Sequence, residues 1–98
     1  MKRIKIERLT EKDLFIPYEK IVGVTGGPST ILIDYKTVDD MGWHVWLANE
    51  TTMSWTRIDD DGSEVKNTLV TAEDFNAFVE FLTAVAKQNE SVKAIESL

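Results

Sequence analysis

Residues 71–88 read TAEDFNAFVEFLTAVAKQ and contain the most regular hydrophobic pattern of the chain. Thr71 and Asp74 stand at the spacing of a near capping box, which favours a helix that starts at residue 72. The pattern therefore predicts an amphipathic helix with one apolar face. The apolar side chains recur every three or four residues: Phe75, Phe78, Val79, Leu82, Val85 and Ala86.

Before this helix, apolar and polar residues alternate in short runs, as expected for strands with one buried face. We therefore predict an α+β fold in which about seven short antiparallel strands pack against one C-terminal amphipathic helix. A chain of 98 residues forms one domain, 1–98. We place the strands within 3–70 and the helix at about 72–88, with a stop at Asn89 and a frayed tail over 89–98.

The clearest hairpin prediction joins the runs around residues 43–48 and 53–58. An uninterrupted ladder across the loop between them places Trp46 opposite Trp55, and Trp43 opposite Ile58. One face of the sheet is then the predicted core under the helix: Ile31, Ile33, Tyr35, Trp43, Val45, Leu47 and Ile58. The opposite face is the candidate partner-binding surface: Leu32, His44, Trp46, Met53, Trp55 and Arg57.

The next turn contains Asp61 and Gly62, and it leaves two registers open. A type I′ turn at this pair sets Ile58 against Val65. A three-residue loop with Gly62 in a bulge shifts the register by one residue.

Composition excludes most familiar sites. The chain has no cysteine and one histidine, so disulfide scaffolds, thiolate zinc sites and thiol nucleophiles are excluded. His44 could be combined with Ser29, Ser54 or Ser63, but no glycine-framed serine is present. We therefore expect no enzyme, no cofactor and no resident metal, since a small enzyme would need a cleft containing His44 or a pair of buried acids.

Charge is distributed unevenly along the chain, whose formal net charge is −6. Residues 1–36 contain seven Lys/Arg and five Asp/Glu, whereas residues 37–98 contain four and twelve, which gives +2 and −8. Such a field disfavours general nucleic-acid binding. No apolar run reaches the length that a bilayer requires. The basic start, residues 1–8, lacks the apolar segment of a secretory signal, so we expect a cytoplasmic protein.

The predicted pairing of Trp43 with Ile58 would also gather acidic loops at one end of the sheet. We call this set the acidic rim: Asp39, Asp40, Asp59, Asp60, Asp61 and Glu64. It could consist of solvated loops, face a basic protein surface or hold a calcium ion. An EF-hand is excluded, because counting back from Gly62 puts Arg57 at the first ligand position and Thr68 at the glutamate position.

The order of elements resembles that of pleckstrin-homology-like domains, and residues 15–24, FIPYEKIVGV, are similar to a stretch in small bacterial members of that family. The resemblance implies a strongly bent sheet or partly open barrel plugged by the helix, and use as an adaptor. Phosphoinositide binding is not implied, because Thr10-Glu11-Lys12-Asp13 has one lysine between two acids where lipid-binding members have several basic residues. The helix also lacks the tryptophan typical of eukaryotic members.

Two functional hypotheses follow. The first is a non-enzymatic interaction or adaptor module that binds a protein partner, or a second copy of itself, through the candidate partner-binding surface, with the acidic rim steering the approach. The alternative is an acidic inhibitor, of the kind a phage could encode, whose carboxylates imitate nucleic-acid phosphates. Salt separates the two, because binding by phosphate mimicry should weaken steeply as ionic strength rises.

Overall fold

The computed structural model describes residues 1–27 and 29–96, and residues 92–96 by their backbone alone. Seven antiparallel strands form two sheets that pack against one C-terminal helix and do not close into a barrel, which confirms the predicted α+β class. The strands are β1 (Arg3–Arg8), β2 (Leu14–Pro17), β3 (Ile21–Gly26), β4 (Thr30–Lys36), β5 (Gly42–Ala48), β6 (Thr52–Ile58) and β7 (Glu64–Thr68). A 3₁₀ turn, Tyr18–Lys20, joins β2 to β3, and the helix is α1 (Ala72–Glu96).

Strand pairing differs from the sequence prediction at the most important hairpin. The sheets have the orders β2-β1-β6-β7 and β3-β4-β5, so β5 and β6 lie in different sheets and the predicted ladder between them is wrong. β5 pairs with β4, while β6 lies between β1 and β7. Alternation specifies which face of a strand is buried but not which strand is its neighbour. β1 supplies two fully buried residues, Ile4 and Ile6, and Ile6 lies opposite Trp55.

The turn between β6 and β7 resolves the two registers that the sequence left open. Ile58 lies opposite Glu64, and the next pair, Asp59 and Ser63, closes the loop. The loop therefore has three residues, Asp60, Asp61 and Gly62. The backbone N–H of Asp59 donates to the carbonyl of Ser63 at 2.9 Å, and Gly62 has a φ of 86°. Glycine adopts this left-handed conformation without the steric penalty of a Cβ atom, which is why the bulged form is available.

The core lies between the sheets and under α1, and its helix side follows the predicted stripe. Phe75, Phe78, Leu82 and Val85 are buried, while Val79 and Ala86 are partly buried against them. Of the predicted core face, the buried members are Ile31, Ile33, Leu47 and Ile58, and the partly buried ones are Tyr35 and Val45. Trp43 was predicted in the core and is 60% exposed instead, because it lies at the end of β5.

The two ends of α1 differ in how well the sequence predicted them. The backbone N–H of Asp74 donates to Thr71 Oγ1 at 3.1 Å, and the N–H of Thr71 donates to Asp74 Oδ2 at 2.9 Å, so the capping box is confirmed. The predicted stop at Asn89 is wrong, because the helix continues to Glu96. The Asn89 side chain donates instead to the carbonyls of Tyr18 at 2.7 Å and Ile21 at 2.8 Å. Residues 97–98 of the predicted frayed tail lie outside the described residues.

Candidate functional site

The two indoles predicted to lie side by side occupy different environments. Trp46, on β5, is 64% exposed. Trp55, on β6, is 5% exposed and stacks on Phe78, with ring centroids 4.7 Å apart. The predicted Trp46–Trp55 pair is therefore wrong, and Trp55 belongs to the core under the helix.

Burial on both faces of β6 explains why alternation failed there. Thr52, Ser54 and Thr56 are buried on the face opposite Trp55, although polar alternate residues usually indicate an exposed face. Ser54 donates a hydrogen bond to the carboxylate of Glu7 at 3.1 Å. A central strand flanked by β1 and β7 can cover small polar side chains with the longer side chains of its neighbours, so period two is not a guide to exposure on this strand.

The remaining residues of the candidate partner-binding surface divide between the two sheets. Leu32 lies opposite Trp46 on β4, and His44 is exposed on β5. Met53 and Arg57 are exposed on β6. The guanidinium carbon of Arg57 lies 5.6 Å from the centroid of the Phe81 ring. Leu32, His44 and Trp46 therefore lie in the three-stranded sheet, whereas Met53, Trp55 and Arg57 lie in the four-stranded sheet.

The carboxylates of the acidic rim also lie on two sheets. Asp39 and Asp40 are in the loop between β4 and β5, and the other rim residues lie between β6 and β7 or begin β7. Asp40 Oδ1 lies 3.2 Å from Lys20 Nζ, and Asp60 Oδ1 lies 3.0 Å from the amino terminus. Hydrogen bonds from the hydroxyl and the backbone N–H of Ser63 lower the pKa of the Asp61 carboxyl.

The rim was predicted on the basis of β5–β6 pairing, which is wrong; one of its two loops connects strands of the three-stranded sheet and the other connects strands of the four-stranded sheet. Within residues 1–27 and 29–96, no group of three His, Cys, Asp or Glu side chains is arranged to hold a metal ion. Two of the serines considered as partners of His44 bond to carboxylates instead: the Ser54 hydroxyl donates to Glu7, and the Ser63 hydroxyl donates to Asp59 and Asp61.

Strand β5 has a free edge. It pairs with β4 on one side, and no strand of the described chain pairs with the other. Its seven residues, GWHVWLA, contain no Lys, Arg, Asp or Glu. Trp43 and Trp46 project from it with most of their surface exposed. Exposed, apolar edges of this kind are templates for pairing with another chain.

The other three sheet edges are protected, which makes β5 the exception. β2 has four residues and ends at Pro17, which has no N–H to donate. β3 packs against α1, and a Cβ atom on Gly26 would lie 3.2 Å from Val79 Cγ2. β7 carries the charged residues Glu64 and Lys66 along its exposed edge. Natural proteins use short strands, covering elements and charges to block edge pairing, and within the described residues β5 has none of these.

The two hydrogen bonds that flank the β4–β5 ladder show which N–H and C=O groups of β5 point away from β4. The N–H of Thr37 donates to Met41 at 2.9 Å, and the N–H of Asn49 donates to Ser29 at 3.1 Å. Antiparallel ladders alternate between bonded and non-bonded pairs, so Trp43, Val45 and Leu47 bond to β4. The N–H and C=O groups that point away from β4 are those of Gly42, His44, Trp46 and Ala48.

The side chains along the edge can contact an added strand on both faces. Trp46 lines a pocket of about 210 Å³ whose other lining residues include Arg8, Thr30, Ala48 and Thr52. Trp43 lies on the opposite face, across from the half-buried Tyr35. Burial raises the pKa of the Tyr35 hydroxyl, and the charge of Arg8 partly offsets this effect. An extended segment on β5 would thus meet one indole on each face.

A larger cleft, of about 420 Å³, lies between the 3₁₀ turn, β4 and α1. Its walls combine Lys20 and Lys36 with Glu19, Asp40 and Glu90. The two hydrogen bonds of Asn89 hold the turn against the helix, and the Lys20–Asp40 ion pair joins the turn to the loop between β4 and β5. Because these polar groups already stabilise the fold, we do not assign a ligand to this cleft.

Comparison with protein-family models, with curated proteins and with solved structures finds no match for this chain. No helix in the described part of the chain combines the length and the hydrophobicity that crossing a membrane requires. The geometry of the β5 edge is therefore the main guide to function.

Proposed function

We propose that this chain is a non-enzymatic protein-interaction module that binds an extended segment of a partner protein along β5. The observation that carries the proposal is the outward direction of the His44 and Trp46 backbone groups on an uncharged, uncovered edge. In strand addition, main-chain hydrogen bonds provide affinity and pockets for alternate side chains provide specificity. The exposed indoles supply the kind of aromatic contact that is enriched at protein interfaces.

This proposal changes the sequence-based hypothesis in one respect. The interaction surface is now the edge of β5 with Trp43, Trp46, His44 and Leu32, and it excludes the buried Trp55. Adaptor use in the manner of a pleckstrin-homology-like domain, and a cytoplasmic location, stay parts of the proposal. The alternative of a phosphate-mimicking inhibitor rests on net charge alone.

The experiment compares two substitutions at one edge position. His44→Ala removes only the side chain, whereas His44→Pro also removes the outward N–H that an added strand would need. The ladder with β4 does not use this N–H, and proline is tolerated at such positions of edge strands. Peptides are selected on the wild-type chain from a displayed library of random sequences, and their affinities are measured for both variants after circular dichroism has shown that both fold.

We expect the selected peptides to bind the His44→Ala variant about as well as wild type, and the His44→Pro variant at least about tenfold more weakly, since one hydrogen bond and the register are lost. Equal affinity for the two variants, or no peptide selected at all, would contradict strand addition on β5.

A further inference from the structure

We infer that the segment that binds β5 is an extended peptide with an apolar or threonine-rich core flanked at both ends by lysine or arginine. This inference rests on the proposed strand addition, and it names the chemistry of the partner. The evidence is the position of charge around the edge. β5 itself carries no formal charge, while Asp39 lies in the loop before it and Glu50 in the loop after it.

These two carboxylates are exposed and are not neutralised by an ion pair in the described residues. The seven residues of β5 span about 23 Å at the rise of an antiparallel strand. A partner strand of that length would place its ends beside the two loops. Basic residues just beyond its core would therefore approach Asp39 at one end and Glu50 at the other.

A second copy of the chain is the obvious other occupant, and charge argues against it. A two-fold axis at Val45 pairs His44 of one copy with Trp46 of the other and satisfies all the outward groups of both residues. The same register brings Asp39 of one copy close to Glu50 of the other at both ends of the ladder, whereas Asp40 is already paired with Lys20. Each copy also carries a net charge of −6. Like charges brought together at an interface repel each other, which opposes pairing of two copies.

Exposed ion pairs contribute little individually, so the backbone bonds and the indoles must hold the partner. The end charges would then act mainly on partner choice, by favouring basic flanks and opposing acidic ones. This arrangement provides selectivity on an edge that lacks charges within the strand.

The test uses three fluorescein-labelled peptides with one core, Thr-Val-Thr-Val-Thr-Val-Thr, flanked at both ends by two lysines, two serines or two glutamates. Their binding to the full chain is measured by fluorescence anisotropy at about 30 mM and about 300 mM sodium chloride, which span a long and a short screening length. We expect the lysine-flanked peptide to bind about tenfold more tightly than the serine-flanked one at low salt, and the glutamate-flanked peptide to bind most weakly. The differences should shrink at high salt.

A matched pair of variants locates the effect. In the double variant Asp39→Lys and Glu50→Lys, the order of the lysine- and glutamate-flanked peptides should reverse. In the control, Glu64→Lys and Glu80→Lys make the same change in net charge on β7 and α1, and the order should stay as in wild type.

The outcomes separate this inference from the proposed function. Equal binding of all three peptides, with loss of binding in the His44→Pro variant, would overturn the basic-flank inference and leave strand addition standing. A concentration-dependent dimer in sedimentation velocity that the His44→Pro variant abolishes would overturn it in favour of a second copy. Peptide binding that the His44→Pro variant leaves unchanged, or no binding by any peptide, would overturn both.

Discussion

Trp55 lies nearly parallel to Phe78, with an interplanar angle of 29° and ring centroids 4.7 Å apart. Phe81 approaches the same indole at 4.8 Å from the next turn of α1. This contact joins the four-stranded sheet to the helix. It also buries Trp55, which the sequence analysis predicted on an exposed face. It divides the tryptophans into one that holds the fold and two, Trp43 and Trp46, that are available to a partner.

Substituting Trp55 should cost far more stability than substituting Trp46. Trp55→Ala removes a buried aromatic ring and leaves a cavity, so we expect a loss of about 3 to 5 kcal/mol in the free energy of unfolding. Trp46→Ala removes an exposed ring and should change it by less than about 0.5 kcal/mol. Urea unfolding followed by circular dichroism measures both. Similar values for the two variants would show that Trp55 is not a core residue.

Asn89 should stabilise the fold through its side chain rather than by ending the helix. Asn89→Ala leaves the carbonyls of Tyr18 and Ile21 without their donor, and we expect a loss of about 1 to 2 kcal/mol. The neighbouring Gln88 is exposed, so Gln88→Ala is the control and should be close to neutral. Thermal unfolding of both variants provides the comparison. Asn89→Ala would behave like the control if the helix were not fastened to the 3₁₀ turn.

The hydroxyl of Thr52 is buried without a hydrogen-bond partner in the described chain. Thr52→Val replaces it with a methyl group of similar shape, and we expect a gain of about 1 kcal/mol in stability because an unpaired buried polar group is removed. Ser54→Ala on the same face removes a bond to Glu7 and should lower stability by about 1 kcal/mol. In chemical denaturation, the change in the free energy of unfolding should therefore have opposite signs in the two variants. A loss of stability in both would show that the Thr52 hydroxyl has a partner.

The capping box makes stability depend on pH through Asp74. Hydrogen bonds from the backbone N–H groups of Thr71 and Val70 lower the pKa of the Asp74 carboxyl below its ordinary value of 3.8. The unfolded chain therefore binds the proton more readily, so the stabilisation is complete above pH 3.8 and is lost as pH falls through the lowered pKa. In thermal melts between about pH 5 and pH 2, the gap between wild type and Asp74→Asn should narrow as pH falls. A constant gap would rule out this role of the carboxylate.

The sequence predicted the helix and its cap well because both depend on local spacing. Phe75, Phe78 and Leu82 lie on one helical face whatever surrounds them, and Thr71 and Asp74 meet within a single turn. The extent of α1 was not predictable in this way, because the carbonyls that accept hydrogen bonds from Asn89 lie about seventy positions earlier in the sequence. Local propensity favours a stop at that position, and tertiary contact overrides it.

Strand partners depend on non-local contacts, and here the prediction failed. The runs containing Trp46 and Trp55 are adjacent in sequence and both alternate, but alternation is equally compatible with pairing to β1 or β4. Ser54 and Thr56 are buried because β6 is a central strand. Their burial cannot be predicted without knowing which strands lie beside β6. The free edge of β5 is likewise a property of topology, although its lack of charged residues is visible in the sequence.

Amide hydrogen exchange on β5, measured residue by residue by NMR with and without the lysine-flanked peptide, tests strand addition most directly. In the free chain, the amides of His44 and Trp46 should exchange rapidly while that of Val45 is protected by its bond to β4. Bound peptide should slow exchange at His44 and Trp46 and leave Val45 as it was. If the peptide binds and these two amides still exchange at their free rates, the partner does not pair with β5 and the proposed function is wrong.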